Sequence, residues 1–304
     1  MQTVIEALVA RVPQWEGLPT VVRQLLGSPR HQTYLVAVDG HEYVVRWPSE
    51  HSAMLGINPT NEAEASRRAA ALGIGPDIVG ELPETHTLVS ELVAGRPVEG
   101  EHIAEHLDVV IDMLRLFHGS GPLNATYPVH RAVEWHARDS GAHGVIAPAA
   151  YERLHQLSRR IEAAFAKEPL PAVPCHNDLL PANLLFHEDR AWLIDFECAG
   201  MNDVFFDLAN LSVNCRFDAA TDEQMIFAYF GELTTAALGR LQLMKVMSHF
   251  RDGMWAVVQR AIGILPADST APEQYLRSCE RLAAQPEFDQ WLIDAAHPVS
   301  DQRS

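Results

Sequence analysis

Apolar and polar residues alternate in short runs over the first third of the chain. Residues 32–38 and 41–47 are rich in β-branched and aromatic residues, and Asp39-Gly40 separates them. An Asp-Gly pair between two such runs predicts a two-residue hairpin turn, because both turn positions require positive φ. Residues 87–92 have the composition of another short strand. This part of the chain is therefore predicted to form an antiparallel sheet.

Helical periodicity takes over in the segments that follow these strands. Residues 62–72 predict a helix with Asn61 as its N-cap and Gly73 at its C-terminal end. Apolar residues recur at helical spacing over 102–118, and 151–167 form a second amphipathic stretch. We therefore expect helices to dominate the chain beyond the first strands.

One strand-like region interrupts the helical part of the chain. Two short apolar runs at 184–186 and 191–194 are joined by a polar turn and predict a second hairpin, whereas 204–293 are mostly helical. The fold class is therefore α+β. We expect a small antiparallel β-rich N-terminal lobe over 1–92 and a larger, mainly helical C-terminal lobe over 93–304.

Composition and charge narrow the class of protein. The chain has 304 residues, of which 47% are apolar and 21% charged, as in ordinary globular proteins. Its formal net charge of −17 disfavours nucleic acid and anionic membranes as partners. No apolar stretch approaches the roughly 20 residues needed to span a bilayer, and no secretory signal is visible, so we expect a cytoplasmic location. The four cysteines are widely spaced, which disfavours a zinc site. The oligomeric state is not determined.

Three oxygen-bearing side chains stand at a spacing typical of phosphoryl transfer. Asp178 and Asn183 lie five residues apart in one loop, and Asp195 follows after the second predicted hairpin. Because a hairpin brings its two ends together, we expect Asn183 and Asp195 to face one another. An amide oxygen and a carboxylate suit Mg²⁺ that also holds nucleotide phosphates, and Asp178 is then free to accept a hydroxyl proton. The alternative for each single residue is a role in turn geometry alone.

The surrounding motifs resemble a known family. His176–Asn183 and Ile194–Glu197 are similar to segments of the choline/ethanolamine kinases, which belong with the aminoglycoside phosphotransferases in the protein-kinase-like fold. Residues 198–210 are especially similar to bacterial choline kinases. The resemblance implies a two-lobed kinase fold, ATP and Mg²⁺ as cofactors, and a small cationic amino alcohol as phosphate acceptor.

The resemblance also implies roles for residues of the helical lobe. Asp178 is the expected catalytic base, and Asn183 and Asp195 are the expected Mg²⁺ ligands. His176 and Asp207 are expected to hold the loops in place, although helix capping is an alternative for Asp207.

The N-terminal lobe carries the residues that the resemblance assigns to the nucleotide. Arg46 occupies the strand position of a phosphate-binding basic residue, and Glu62 is its expected ion-pair partner. The loop expected to cover the phosphates keeps a single glycine, Gly27, and Pro29 removes one backbone donor. The hinge residues whose backbone is expected to meet the adenine are Ser90, Glu91 and Leu92.

The expected acceptor site departs from the choline kinase pattern. In that family aromatic faces near the chain end bind trimethylammonium groups by cation–π attraction. Residues 249–259 resemble the segment that supplies two tryptophans, but only Trp255 matches and Asp252 replaces the other. A carboxylate suits an amine with N–H donors, which favours ethanolamine or another amino alcohol beside choline. Glu197 is expected near the metal or the substrate amine, or in a supporting position. Weaker candidates for this pocket are Trp135 and Tyr229.

Two other functions share these motifs. Aminoglycoside or other small-molecule phosphorylation uses the same catalytic residues, with a wider acceptor site. A nucleotide-binding pseudokinase is the third possibility, and the departure of the loop around Gly27 from the family pattern motivates it.

Overall fold

The computed structural model describes residues 2–24, 31–48, 52, 55 and 57–299. Contacts group the chain into a first unit, Met1–Arg96 with Leu185–Glu197, and a second unit, Pro97–Leu184 with Cys198–Ser304. The lobe boundary between residues 92 and 93 stays a prediction. The first unit also includes Leu185–Glu197, a segment that lies far along the chain from its other residues.

An antiparallel sheet organises the first unit. The strands are β1 (Thr20–Gln24), β2 (His31–Val38), β3 (His41–Pro48), β4 (Ile78–Leu82) and β5 (Thr87–Glu91). They follow the order β1-β2-β3-β5-β4 in the sheet. Asp39 and Gly40 have φ values of 48° and 82°, which confirms the predicted hairpin between β2 and β3.

One face of this sheet is covered by the N-terminal helix α1 (Gln2–Val9). Leu8 and Val9 of the helix belong to the same buried cluster as Val36 and Val45 of the sheet. Side chains two residues apart along a strand point to the same face of the sheet. One face of the sheet therefore contributes its apolar side chains to this cluster. Sequence analysis did not predict α1, because eight residues are too few to display a helical period clearly.

Helix α2 (Pro59–Ala71) begins three residues before the predicted start. The N-cap is Asn58 rather than Asn61, and its side-chain oxygen accepts a hydrogen bond from the Thr60 N–H at 3.0 Å. Pro59 occupies the first turn, where a missing N–H costs nothing. Gly73, with φ of 73°, follows the C-cap and confirms the predicted end.

The second predicted hairpin is also confirmed. It consists of β8 (Leu184–His187) and β9 (Arg190–Leu193), in a three-stranded sheet of order β6-β8-β9 with β6 (Arg96–Pro97). The Leu193 N–H donates to the carbonyl of Ile74 at 2.7 Å. This bond ties the end of the hairpin to the segment after α2 and so positions the residues that follow β9.

Helices dominate the second unit, and together with the antiparallel sheet they confirm the α+β class. The helix predicted over 102–118 is broken at His106, whose φ and ψ of −116° and 34° are not helical. The helices are α3 (Gly100–Glu105), α4 (Leu107–His118), α5 (Val129–Ala142), α6 (Tyr151–Phe165), α7 (Val204–Cys215), α8 (Ala219–Phe230), α9 (Thr235–Ala261), α10 (Ala271–Ala283) and α11 (Phe288–Asp294).

The 27-residue helix α9 forms the centre of the second unit, and α5, α7, α10 and α11 pack against it. Helices α9 and α10 approach so closely at Gly253 that a Cβ there would lie 2.7 Å from a methyl carbon of Leu276. A short ribbon of β7 (Val173–Cys175) and β10 (Gly200–Asn202) lies in the same unit and leads into the Asp178 loop. Within the described parts of the chain, each helix is too short or too polar to cross a bilayer.

Candidate active site

The loop that carries Asp178 is fastened to helix α7 through Asp207. The two carboxylate oxygens of Asp207 accept hydrogen bonds from the backbone N–H groups of His176 and Asn177, each at 2.7 Å. One of these oxygens also lies 3.1 Å from Nε2 of His118. Burial alone would raise the pKa of Asp207, but the bonds from His118 and from the His176 backbone hold it below its ordinary value.

Capping of α7 is the task of another residue. The side chain of Asp203 accepts a hydrogen bond from the Phe205 N–H at 2.9 Å, so Asp203 is the N-cap and Asp207 faces the loop. Tyr229 continues the same network, because its hydroxyl lies 2.8 Å from Nδ1 of His118. The sequence pattern did not indicate His118, and it indicated Tyr229 only as a candidate for the acceptor pocket.

Asn177 holds the loop in a left-handed conformation. Its φ is 63°, a region in which asparagine is among the best tolerated residues. The side-chain amide donates to the carbonyl of Cys198 at 3.0 Å and accepts from the side chain of Asn202 at 2.8 Å. These bonds hold a conformation that short-range preferences alone would not select.

Asp178 and Asn183, both almost fully buried, lie at the two ends of the loop. The side chain of Asn183 donates to the carbonyl of Asp178 at 2.9 Å. The Leu179 N–H donates to the side chain of Asn210 at 2.6 Å, and the Leu179 carbonyl accepts from Asn214 at 3.1 Å. Helix α7 therefore holds the backbone directly beside Asp178.

A buried arginine that sequence analysis missed contacts the same loop. The Arg251 guanidinium donates to the carbonyl of Asn177 at 2.5 Å and lies 3.4 Å from Oδ1 of Asp178. Its Nε lies 3.0 Å from Oδ1 of Asp252. Burial alone would lower the pKa of Arg251, but Asp252, Tyr127 and Asp178 raise it far above its ordinary value. The side chain is therefore charged and neutralises part of a carboxylate pair.

Trp255 is buried between Arg251 and His136. The ring is 4% exposed, and the Arg251 guanidinium carbon lies 5.4 Å from its centroid. The His136 ring lies 5.6 Å from it on the side of α5. Burial, opposed by Arg251 and assisted by Asp178, raises the pKa of the neighbouring Asp252 to about 6. The roles of Asp252 and Trp255 as substrate contacts stay predictions.

Two further buried polar groups lie in this region. The hydroxyl of Tyr127 and Nε2 of His136 have no hydrogen-bond partner among the residues that the structure describes. Burial raises the pKa of Tyr127, and burial followed by Arg251 lowers the pKa of His136 to about 3. Trp135, next to His136 on α5, is half-buried.

One sequence signal for Arg251 was available, namely the adjacent charged residues Arg251 and Asp252 in a mainly apolar helical stretch.

A cavity in the first unit brings together the nucleotide-binding candidates that the structure describes. It has one polar end and mainly apolar walls, to which Val44, Leu88, Leu185 and Ile194 contribute. Gly27 lies outside the described residues. The predicted residues in the lining are Arg46, Glu62, Ser90, Glu91, Leu92 and Asp195.

Arg46 is the centre of the polar end of this cavity. Its guanidinium forms an ion pair with Glu62 at 2.6 Å, as predicted from the resemblance, and further ion pairs with Asp195 and with Glu197, the latter at 3.3 Å. Burial alone would lower the pKa of Arg46, but Asp195, Glu62 and Glu197 raise it above its ordinary value. The side chain of Glu197 is 1% exposed and contacts Arg46, and its role near the metal or the substrate amine stays a prediction.

The backbone at the end of β5 narrows the hinge prediction. The Glu91 N–H donates to the carbonyl of Asp77 at 2.9 Å, and the Leu92 N–H donates to that of Glu42 at 3.2 Å. Both N–H groups are therefore already hydrogen-bonded within the protein and are not available to a ligand. The next residue, Val93, also lines the cavity, and its N–H has no acceptor within the described chain. Sequence analysis missed Val93, because which amides a sheet uses depends on register.

The family is established by a match to a family model. Residues 21–243 match the model described as the phosphotransferase enzyme family. This match covers more than half of the chain, and the chain belongs to this family. The predicted enzyme class, a small-molecule kinase, is confirmed, as is the resemblance to the aminoglycoside phosphotransferase group.

Solved structures agree with the fold. A choline/ethanolamine kinase family protein from Mesorhizobium loti is 28% identical, with a TM-score of 0.81 over 97% of this chain and 99% of that one. The choline kinase LicA from Streptococcus pneumoniae is 20% identical, with a TM-score of 0.79 over 94% of this chain and 99% of that one. Another LicA structure is a complex with AMP. The predicted protein-kinase-like fold is therefore confirmed.

Curated relatives match over shorter segments. LicA of Haemophilus influenzae is 53% identical over 38 residues, which are 12% of this chain and 14% of the relative. Ethanolamine kinase 2 of Rattus norvegicus is 32% identical in an alignment of 133 positions, with coverage of 35% of this chain and 34% of the relative. These matches add choline/ethanolamine kinase relatives, each over a minority of its own length.

Proposed function

We propose that this protein transfers the γ-phosphoryl group of ATP to the hydroxyl of a small cationic amino alcohol whose amine carries N–H donors. The observation that supports this most is the cavity of the first unit. It combines apolar walls with a polar end built from Arg46, Glu62 and Asp195. Such a combination suits a nucleotide, because the base is flat and apolar and the phosphates are charged. The AMP complex of LicA, a protein of similar fold, supports the same assignment.

The proposed nucleotide pose follows from the lining of the cavity. The adenine lies between the apolar walls, with its polar edge toward the end of β5. There the Val93 N–H, which has no acceptor among the described residues, is the proposed donor to the base, and carbonyl groups of the hinge residues are the proposed acceptors. The phosphates lie at the end that contains Arg46, whose planar guanidinium can donate two parallel hydrogen bonds to phosphate oxygens.

The polar end also fits a divalent cation. Three carboxylates surround the single guanidinium of Arg46, so a polyphosphate would meet net negative charge without a cation. Carboxylate and amide oxygens are the ligands that Mg²⁺ prefers. The ligands that we propose are those predicted from the sequence, Asp195 of this cavity and Asn183 of the Asp178 loop. The side-chain nitrogen of Asn183 donates to the Asp178 carbonyl, so the Asn183 Oδ1 is the proposed ligating atom. When bound, Mg²⁺ neutralises charge on the phosphoryl oxygens.

Asp178 is the proposed general base. Its carboxylate accepts the proton of the acceptor hydroxyl as the phosphoryl group is transferred. The Arg251 guanidinium lies 3.4 Å from Oδ1 of Asp178 and so helps to orient the carboxylate in this proposal. Asp207 accepts a bond from the His176 N–H, and Nδ1 of His176 accepts one from the Asp178 N–H at 3.2 Å, so both are positioning residues in this proposal.

An amine with N–H donors fits the proposed acceptor site better than a quaternary ammonium group. An aromatic cage needs ring faces that the ligand can reach. The ring of Trp255 is nearly fully buried, and its neighbours are Arg251 and His136. Asp252 offers a carboxylate that can accept hydrogen bonds from a protonated amine. We therefore place ethanolamine-like alcohols ahead of choline.

A coupled ADP-release assay tests this proposal. Purified protein is assayed with Mg-ATP and, in parallel, with ethanolamine, choline, thiamine and kanamycin. We expect turnover that requires Mg²⁺ and a higher kcat/KM for ethanolamine or a related primary amino alcohol than for choline. Mass spectrometry of the product should show one phosphate added to the alcohol.

Other outcomes of the assay separate the alternatives. Turnover with kanamycin alone would replace the amino alcohol by an aminoglycoside. Thermal stabilisation by Mg-ATP without ADP formation for any small hydroxyl compound would indicate a nucleotide-binding pseudokinase and would contradict the proposal.

The KM for a cationic acceptor is expected to rise as the pH falls through about 6. The folded-state pKa of Asp252 is raised to about 6, so the carboxylate is neutral below this pH and loses its attraction for the amine. The amine itself stays protonated over this range. The Asp252→Asn variant should have a high KM at every pH and no such limb. Steady-state kinetics between pH 5 and 8 measure it, with the exposed Asp268→Asn variant as control. A flat wild-type KM would remove Asp252 from the acceptor site.

A further inference from the structure

A groove with basic walls lies in the second unit, and none of its described lining residues belongs to the candidate active site. It is formed by the C-terminal end of α7, by α9 and by α10, and has a volume of ≈ 330 Å³. Pockets for small ligands begin at about this size. We call it the basic groove, and define it by Arg216, Phe217, Lys245, His249, Ser278 and Arg281.

Helix geometry explains why these side chains converge. Lys245 and His249 are four residues apart on α9, and Ser278 and Arg281 are three apart on α10, so each pair shares one helix face. Helices α9 and α10 are in close contact at Gly253, and the groove opens between them at Lys245 and Arg281. Arg216 follows α7 in the left-handed conformation, with φ of 58°.

The groove contains positive charge that the protein does not neutralise. Arg216 and Arg281 have no carboxylate within ion-pair distance among the residues that the structure describes, although the whole chain has a net charge of −17. Among the described residues, Arg281 donates only to the hydroxyl of Ser278, at 2.8 Å. Lys245 differs, because it forms an ion pair with Asp222 at 2.5 Å. Two guanidinium groups therefore face one cavity with their charges unmatched.

His249 is a further polar residue of the groove lining. Nδ1 of His249 is inaccessible to solvent and has no hydrogen-bond partner within the described part of the chain. Burial, followed by the charges of Arg281 and Lys245, lowers the pKa of His249 to about 4, so the ring is neutral at pH 7. A neutral imidazole in the lining is a polar group that adds no charge of its own to the groove.

We propose that the basic groove binds a small phosphorylated anion, with Arg216 and Arg281 as its charged donors. Guanidinium forks match the oxygens of a phosphate group, and the Ser278 hydroxyl and His249 ring supply further polar contacts. Phe217 provides an apolar wall for the body of the ligand. A nucleic acid or an anionic membrane does not fit, because either would bring extended negative charge against a strongly acidic protein.

The basic groove is linked to the loop that contains Asp178. Asn214, two residues before Arg216, donates to the carbonyl of Leu179 at 3.1 Å. Asn210 contacts both the Leu179 N–H and the hydroxyl of Ser248, the neighbour of His249. A ligand in the groove would therefore contact residues next to Asn214 and next to Ser248, the partner of Asn210. Asn214 and Asn210 hold the backbone beside Asp178. This link depends on the fold alone and not on the identity of the phosphate acceptor.

The test is a titration of the full chain with inorganic phosphate and with phenyl phosphate at constant ionic strength. Calorimetry gives the affinity, and ¹H–¹⁵N NMR locates the site, with and without Mg-ADP. We expect saturable shifts of residues 245–249 and 278–282, followed by Leu179. The variants Arg216→Gln and Arg281→Gln should each weaken binding by about tenfold. The matched control is Arg277→Gln, an exposed arginine on α10 outside the groove lining, and it should bind almost as the wild type does.

Three outcomes would overturn the proposal. One is the absence of saturable binding by either phosphate compound. Another is an equal loss of affinity in Arg277→Gln, which would indicate the general electrostatic field. The last is a set of shifts confined to the first unit and abolished by Mg-ADP, which would place the anion in the nucleotide cavity. Wild-type NMR decides between these sites even if a variant folds poorly.

Discussion

Replacement of Asp178 by Asn is expected to lower kcat by about 10²- to 10⁴-fold and to leave the affinity for Mg-ATP nearly unchanged. An amide cannot take the proton of the acceptor hydroxyl, which is the task that we propose for Asp178. The loop itself should persist, because Arg251 still binds the Asn177 carbonyl and Asp207 still accepts from two loop amides. The ADP-release assay gives kcat, and calorimetry with a non-hydrolysable ATP analogue gives the affinity.

The matched variant for this experiment is Asp195→Asn. Asp195 is the proposed Mg²⁺ ligand, so its replacement should weaken Mg-nucleotide binding as well as turnover. The two variants thus separate loss of a base from loss of a metal ligand. Near-normal turnover of Asp178→Asn would show that another group, or solvent, accepts the proton.

Replacement of Arg251 by Met is expected to lower the free energy of unfolding by about 3–5 kcal/mol. Arg251 is 1% exposed and is the cation between Asp178 and Asp252. Its loss strands two nearly buried carboxylates and leaves the Asn177 carbonyl without this donor. For a chain of this size we expect the thermal midpoint to fall by roughly 6–20 °C. Differential scanning calorimetry measures this change.

Two comparisons test the electrostatic origin of that loss. Arg23→Met removes an exposed ion pair with Glu42 and should cost less than about 1 kcal/mol. Without Arg251, burial and Asp178 both act to raise the pKa of Asp252, so the destabilisation should grow as the pH rises through that pKa. The double variant Arg251→Met/Asp252→Asn should recover part of the stability. If Arg251→Met cost no more than Arg23→Met, the buried network would be energetically unimportant.

Local sequence rules worked where short-range physics decides. Asp39-Gly40 predicts a hairpin because few other pairs adopt positive φ twice in succession, and the hairpin forms. Gly73 ends α2 for the same reason. The N-cap of α2 was predicted at Asn61, whereas Asn58 caps it. Both asparagines are suitable by type, and the choice depends on where Pro59 and the preceding segment place the chain.

The site shows the same division. Asp178, Asn183 and Asp195 are visible in the sequence because their spacing is local. The pairing of Arg46 with Glu62 was implied by the family resemblance. His118 and Arg251 lie 60 and 73 residues away from Asp178 in the sequence. No local period marks such residues as partners of the loop. Val93 was missed for a related reason, since strand register decides which backbone donors a sheet consumes.

The sequence by itself determined the α+β class, the family resemblance and the residue types that phosphoryl transfer needs, because these depend on composition, periodicity and spacing over a few residues. Only the tertiary structure decided that Asp207 serves the loop while Asp203 caps α7, and that Arg251 lies between Asp178 and Asp252. The physical reason is that burial and charge pairing depend on distances in space between residues far apart in the chain. The basic groove belongs to the same class of feature, since α7, α9 and α10 create it only when they pack.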